Sequence, residues 1–163
     1  MPRVESSVVV EAPPERVWAF VSDVGRCPEW VTFADEMRHV DEGDPGEGFR
    51  YVEYGGLGPI RSESEWVIAE FDPPRRQVHV GDMGIMRPEL TITVEPEGEG
   101  EDTRWTQAVE FEALPRLRPV GWLLERLVIR RGMARGLERT MAAGKELVER
   151  EHRADSGETT AAA

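Results

Sequence analysis

Between Phe33 and Ala113 the chain breaks into six short segments of β-forming residues, each stopped by a turn signal, and from about Val120 it changes to helical periodicity. "MRHV" ends at "DEGDPGEG", "FRYVEY" at "GGLGP" and "SEWVIAEF" at "DPPRR". "QVHVGDMG", "ELTITVE" and "TRWTQAVEFEA" follow, the last two divided by the acidic loop "PEGEGED". Strands joined by connections this short pair with their neighbours, so an antiparallel meander is predicted. The helical stretch runs from about Val120 to about His152 and gathers Trp122, Leu123, Leu127, Met133, Leu137, Met141 and Val148 on one broad face. A meander and one long amphipathic helix bury their apolar sides against each other, which gives an α+β fold. Gly132, Gly136 and Gly144 each weaken that helix by roughly 1 kcal/mol relative to alanine and are candidate kinks.

The start of the chain adds a seventh strand, Val4 to Glu11, rich in β-branched residues. "APPERVWAFVSD" then reads as a turn into a short helix, since proline suits the first helical position and Val17, Trp18, Phe20 and Val21 fall at helical spacing. Gly25 and Pro28 end that helix and leave room for one more short helix before Trp30. At the other end "RADSGETTAAA" has nothing to bury, so residues 153–163 are expected to form a disordered tail after one domain spanning 1–152.

"VVVEAPPERVWAFVSDVGRCPEW" resembles the N-terminal signature of the START-like superfamily, in particular its polyketide cyclase/dehydrase and lipid-transport branch. "WVIAEFDPPRR" is similar to that family's fourth strand and its Pro-Pro-Arg turn, and "GLERTMAAGKELVERE" to the end of its long helix. The resemblance implies the helix-grip fold: a seven-stranded curved antiparallel sheet wrapped on a long C-terminal helix, with two short helices after the first strand. It also implies a space between sheet and helix, with Trp18 and Trp30 sealing its floor.

Composition removes several classes of function. The chain of 163 residues carries 32 acidic and 20 basic residues, a net charge of −12, and Lys145 is its single lysine. Nucleic acid is not an expected partner, because neutralising phosphates needs a basic face. No apolar run reaches the roughly 20 residues that span a bilayer, and the first residues lack a signal peptide's features, so stable membrane insertion is not expected and a cytoplasmic location is. The acidic excess with so little lysine suggests a salt-adapted host. One cysteine, Cys27, allows no internal disulfide, and neither it nor the chain's motifs suggest a metal site. Nucleotide-binding, zinc-protease and nucleophile-elbow motifs are absent from the sequence, so no cofactor is expected. A homodimer is left open.

On the predicted seventh strand Trp105, Gln107, Val109 and Phe111 share a face, and Tyr51 shares one with Phe49 two strands from the meander's start. These residues, with Trp66, are expected to face a small hydrophobic ligand, Gln107 and the Tyr51 hydroxyl being its polar contacts. Trp122, Leu123, Leu127 and Met133 should cover it from the helix, and Met83 and Met86 should stand at its mouth, where flexible thioethers make an adaptable gate. In a straight helix Arg126 and Arg130 fall in the apolar sector, so they either meet a carboxylate of the protein or of the ligand or are turned by a glycine kink to snorkel into water; Arg130 is carried as a candidate contact.

No catalytic residue is assigned. His79 alternates with Val78 and Val80, so a strand that turns its valines inward turns His79 out. Cys27, whose pKa Arg26 could lower, is read as a packing residue, and Glu63 and Glu65 as solvated rather than as an acid–base pair. The first expectation is binding or carriage of a lipid, polyketide or isoprenoid-like molecule. The alternatives are an aromatase/cyclase or dehydratase acting in the same cavity, and a protein-interaction module.

Overall fold

The computed structural model describes residues 3–84, 86–113 and 128–161. Strand β1 is Arg3–Val10, followed by helix α1 at Pro14–Ser22, a 3₁₀ turn at Val24–Arg26 and helix α2 at Cys27–Trp30. The meander is β2 Ala34–Val40, β3 Arg50–Leu57, β4 Ile60–Asp72, β5 Arg76–Asp82, β6 Met86–Pro96 and β7 Thr103–Ala113, and helix α3 is Arg130–Ala161. The seven strands form one antiparallel sheet in the order β1-β7-β6-β5-β4-β3-β2. Sheet, two short helices and long helix therefore agree with the helix-grip expectation.

The sheet and α3 meet through aromatic side chains seated beneath helix glycines. A Cβ at Gly144 would stand 2.6 Å from the Trp105 ring and 3.1 Å from Trp30, and one at Gly136 would stand 2.2 Å from Phe33. These glycines are places of close approach in one continuous helix rather than breaks in it. Leu137, Met141 and Val148 face the same way and are buried, joining Val10, Phe20, Trp30, Ile92, Val94, Trp105 and Phe111 in the larger core cluster. A smaller cluster, Val24, Phe49, Tyr51 and Ile68, lies under β3 and β4.

Polar contacts fix the helix along its length. Lys145 Nζ donates to the Val9 carbonyl at 2.7 Å and pairs with Glu149, whose Oε1 accepts the Glu11 amide at 2.9 Å. The Thr32 amide donates to Thr140 Oγ1 at 2.9 Å. The helix does not stop near His152. It continues to Ala161, so residues 153–161, expected to be disordered, are helical, and Asp155 is paired with Arg16. The expected first turns of the helix, with Trp122, Leu123, Arg126 and Leu127, lie outside the described residues.

The turn between β3 and β4 is tighter than "GGLGP" suggests. Gly55 and Gly56 continue β3, paired with Ser62 and Arg61, and Gly55 has no room for a side chain, since an added Cβ would stand 1.9 Å from the Phe33 carbonyl oxygen. That close approach brings Phe33, and with it the chain after α2, onto the inner face of the sheet.

Candidate functional site

A cavity of about 210 Å³ lies between the sheet and α3, and its lining draws on both core clusters. Its apolar side is made by Met86, Leu90 and Ile92 of β6, Val109 of β7, and Ile129, Met133 and Leu137 at and along α3. Trp30, Val31 and Phe33 bound it from α2 and the segment after it.

Beside this stretch, on β3 to β5 of the same sheet, the wall carries polar groups paired across strands, His79 standing next to Leu90 in register. Tyr51 stands opposite Trp66, and the two rings are parallel within 5° at a centroid separation of 6.2 Å. Trp66 Nε1 donates to Glu53 Oε1 at 3.0 Å. The Tyr51 hydroxyl and His79 Nδ1 are 2.9 Å apart. Gly81, across from Trp66 on β5, makes this wall feasible: an added Cβ there would lie 2.9 Å from the indole.

Burial controls the charge of every ionisable group in the wall. It pushes the Tyr51 phenol well above its usual pKa, with Cys27 and Glu53 adding to the effect. It raises Glu53 to about 7 against the opposing hydrogen bond from Trp66, and lowers His79 to about 4. The imidazole is thus neutral at ordinary pH, and the carboxyl changes charge near neutrality. Burial, then Glu53 and Asp23, push the Cys27 thiol far up. Arg26 does not activate it, because its guanidinium is held by Glu29 and Glu151.

Of the residues expected at the ligand, Tyr51, Trp66, Met83, Met86, Gln107, Val109 and Met133 all line the cavity. Trp105 and Phe111 do not. Both are fully buried in the core, Trp105 spent on edge contacts with Trp30 and Phe20. Arg130 is exposed at the start of α3 and lies outside the lining. Trp30 lines the cavity floor, whereas Trp18 turns to Phe71, ring centroids 5.3 Å apart.

His79 corrects the expectation from strand phase. On β5 the inward residues are Gln77, His79 and Gly81, and Val80 is 37% exposed. The inversion is tolerated because Gln77 Nε2 donates to the Val21 carbonyl at 3.2 Å and His79 meets Tyr51. Glu53 was missed, although its signal was legible: Phe49, Tyr51 and Glu53 alternate on one face of a strand. Glu63 and Glu65 are exposed, as expected of solvated residues. Among the described residues no group of three or more His, Cys, Asp or Glu is placed to hold a metal ion, and no helix is long and apolar enough to cross a membrane.

A curved seven-stranded antiparallel sheet gripping a long C-terminal helix around a cavity defines the START-like class. The chain belongs to the polyketide cyclase/dehydrase and lipid transport family, whose model matches residues 1–149. The crystal structure of TTHA0849 from Thermus thermophilus is similar with a TM-score of 0.69 at 24% identity, covering 90% of this chain and 97% of that one. A START superfamily protein from Mycobacterium smegmatis gives 0.68 at 16% identity, covering 91% and 97%. Toxin Rv0910 of Mycobacterium tuberculosis (strain ATCC 25618 / H37Rv) is 29% identical over 130 residues, 76% of this chain and 85% of that protein.

Proposed function

We propose that this protein binds one small, largely apolar molecule in the cavity between sheet and helix and acts as its carrier. The observation that supports this reading is the cavity itself: a space of about 210 Å³ lined mostly by aliphatic, aromatic and thioether groups, with a short polar strip on β3 to β5 beside them. Protein interiors are otherwise close-packed, and a void of this size lowers stability unless something occupies it. Membership of a family that includes lipid transport agrees with a carrier. Mass spectrometry of the organic extract from natively purified protein tests it. One molecule recovered in stoichiometric amount, and lost on partial unfolding, is the expected result; an empty extract together with no uptake of a neutral apolar dye overturns it.

A second reading is an enzyme of the cyclase or dehydratase kind, and one observation favours it. Glu53 and His79 both line the cavity, so a carboxyl that titrates near neutrality and a neutral imidazole share one space with the bound molecule. Extracts of the wild type and of Glu53→Gln distinguish the two. A carrier yields the same molecule from both; an enzyme yields an unconverted precursor from the variant.

A further inference from the structure

His79 Nε2 is buried and has no hydrogen-bond partner among the described residues, while the residue is only 1% exposed and lines the cavity. Buried polar atoms are seldom left in this state, and such an atom in a ligand cavity marks where a partner belongs. The Tyr51 hydroxyl helps to define what that partner is. Its hydrogen bond among the described residues is to His79 Nδ1, so the arrangement that uses the phenol proton has Tyr51 donating to Nδ1. A neutral imidazole accepting at Nδ1 carries its own proton on Nε2. In that arrangement the ring, kept neutral by burial, presents Nε2 as a single N–H donor.

The rest of the wall decides the kind of acceptor. A carboxylate or phosphate would share the space with Glu53, whose carboxyl is itself ionised above about pH 7. A neutral imidazole supplies no charge to offset that repulsion. A hydroxyl oxygen accepts from Nε2 without bringing charge, and the apolar side of the cavity takes the remainder of the molecule.

We propose that His79 Nε2 reads a hydroxyl group, so that the cavity selects a neutral alcohol or phenol over both the hydrocarbon and the carboxylate of the same shape. The inference rests on the cavity being a binding site and adds the chemical class of what enters it. Tyr51 is a positioning residue here: it holds the imidazole in one tautomer and leaves the contact with the ligand to His79.

Three probes of matched shape test it at pH 8: 2-naphthol, 2-methylnaphthalene and 2-naphthoate, each competing with the neutral dye N-phenyl-1-naphthylamine. Naphthol is expected to bind roughly tenfold more tightly than methylnaphthalene, as filling one buried unpaired donor provides, and naphthoate more weakly than naphthol. His79→Phe should abolish the difference between naphthol and methylnaphthalene. In the wild type, the ¹⁵N resonance of His79 Nε2 should move with naphthol and stay in place with methylnaphthalene, a readout that does not depend on the variant folding. Equal affinities for naphthol and methylnaphthalene, naphthoate binding as tightly as naphthol, or an Nε2 resonance that ignores naphthol each overturn the proposal while leaving the cavity a binding site. If the dye and all three probes fail to bind, the binding-site reading itself falls.

Discussion

The Tyr51 hydroxyl lies 2.9 Å from His79 Nδ1, with the two rings crossing at 73° in the cavity wall. On its other side Tyr51 stacks on Trp66, which in turn holds Glu53. The four side chains make one strip across β3, β4 and β5, and each ionisable member is shifted toward its neutral form. A strip of that kind can present hydrogen-bonding groups to an apolar molecule without exposing it to a fixed charge below neutral pH.

The two titrations nearest neutrality act on stability with opposite signs. Glu53 has a folded pKa of about 7 against a usual 4.5, so its stabilising share is complete below 4.5 and is lost as pH rises through about 7. His79 has a folded pKa of about 4 against a usual 6.5, so its share is complete above 6.5 and is lost as pH falls through about 4. Between pH 4.5 and 6.5 the two slopes, each up to about 1.4 kcal/mol per pH unit, offset one another. Relative to wild type, Glu53→Gln should gain stability as pH rises across this window and His79→Phe should lose it. Urea unfolding at pH 4.5, 5.5 and 6.5 checks this, and three parallel curves would show that neither group is buried as described.

Replacing a helical glycine with alanine ordinarily stabilises by about 1 kcal/mol, but Gly144 should behave in the opposite way. The new methyl would stand 2.6 Å from Trp105, a fully buried ring that cannot withdraw. Gly144→Ala should therefore cost about 1–3 kcal/mol through overpacking. Gly157→Ala is the control, since nothing lies within 4 Å of an added Cβ there. Thermal unfolding that placed both variants at or above the wild type would remove the helix–tryptophan contact as a determinant of this packing.

Val109 lines the cavity from β7 with 7% of its surface exposed. A tryptophan there has empty volume to grow into, so Val109→Trp should abolish uptake of a neutral apolar dye while changing stability by less than about 1.5 kcal/mol. Dye titration and urea unfolding of the same preparation separate the outcomes. A variant that unfolds, or that binds dye like the wild type, would mean that this space is packed core.

The architecture was legible because it depends on periodicity. Seven alternating segments and one helical stretch have few ways to bury themselves, and the turn residues between them mark short connections. The cavity lining was legible where a residue's face follows from periodicity, as with Tyr51, Gln107 and Val109 on strands and Met133 on the helix. His79 was misplaced because β5 turns its valines away from the cavity, and that choice depends on partners remote in the chain, Tyr51 and the Val21 carbonyl. Trp105 shows the converse. Its strand phase was read correctly, but whether an inward side chain meets cavity or core depends on what stands opposite, here Trp30 and Gly144.

The acidic surface predicts how the fold responds to salt. Acidic residues outnumber basic ones by twelve, so even with every base paired a large negative excess repels itself. The ion pairs work against this, because salt weakens them too; Arg3 with Glu110 and Arg104 with Glu97 are examples. Exposed pairs contribute at most about 1 kcal/mol each and often nothing, whereas the net repulsion acts over the whole surface. Raising potassium chloride from about 0.1 M to about 1 M shortens the screening length from roughly 10 Å to roughly 3 Å, which removes most of that repulsion. Melting temperatures across this series should rise on the order of 3–6 °C, corresponding to about 1–2 kcal/mol for a domain of this size. Chloride is the anion to use, since sulfate would strengthen apolar burial in any protein. A flat or falling series would mean that the paired charges outweigh the excess, and that the scarcity of lysine has no bearing on stability in salt.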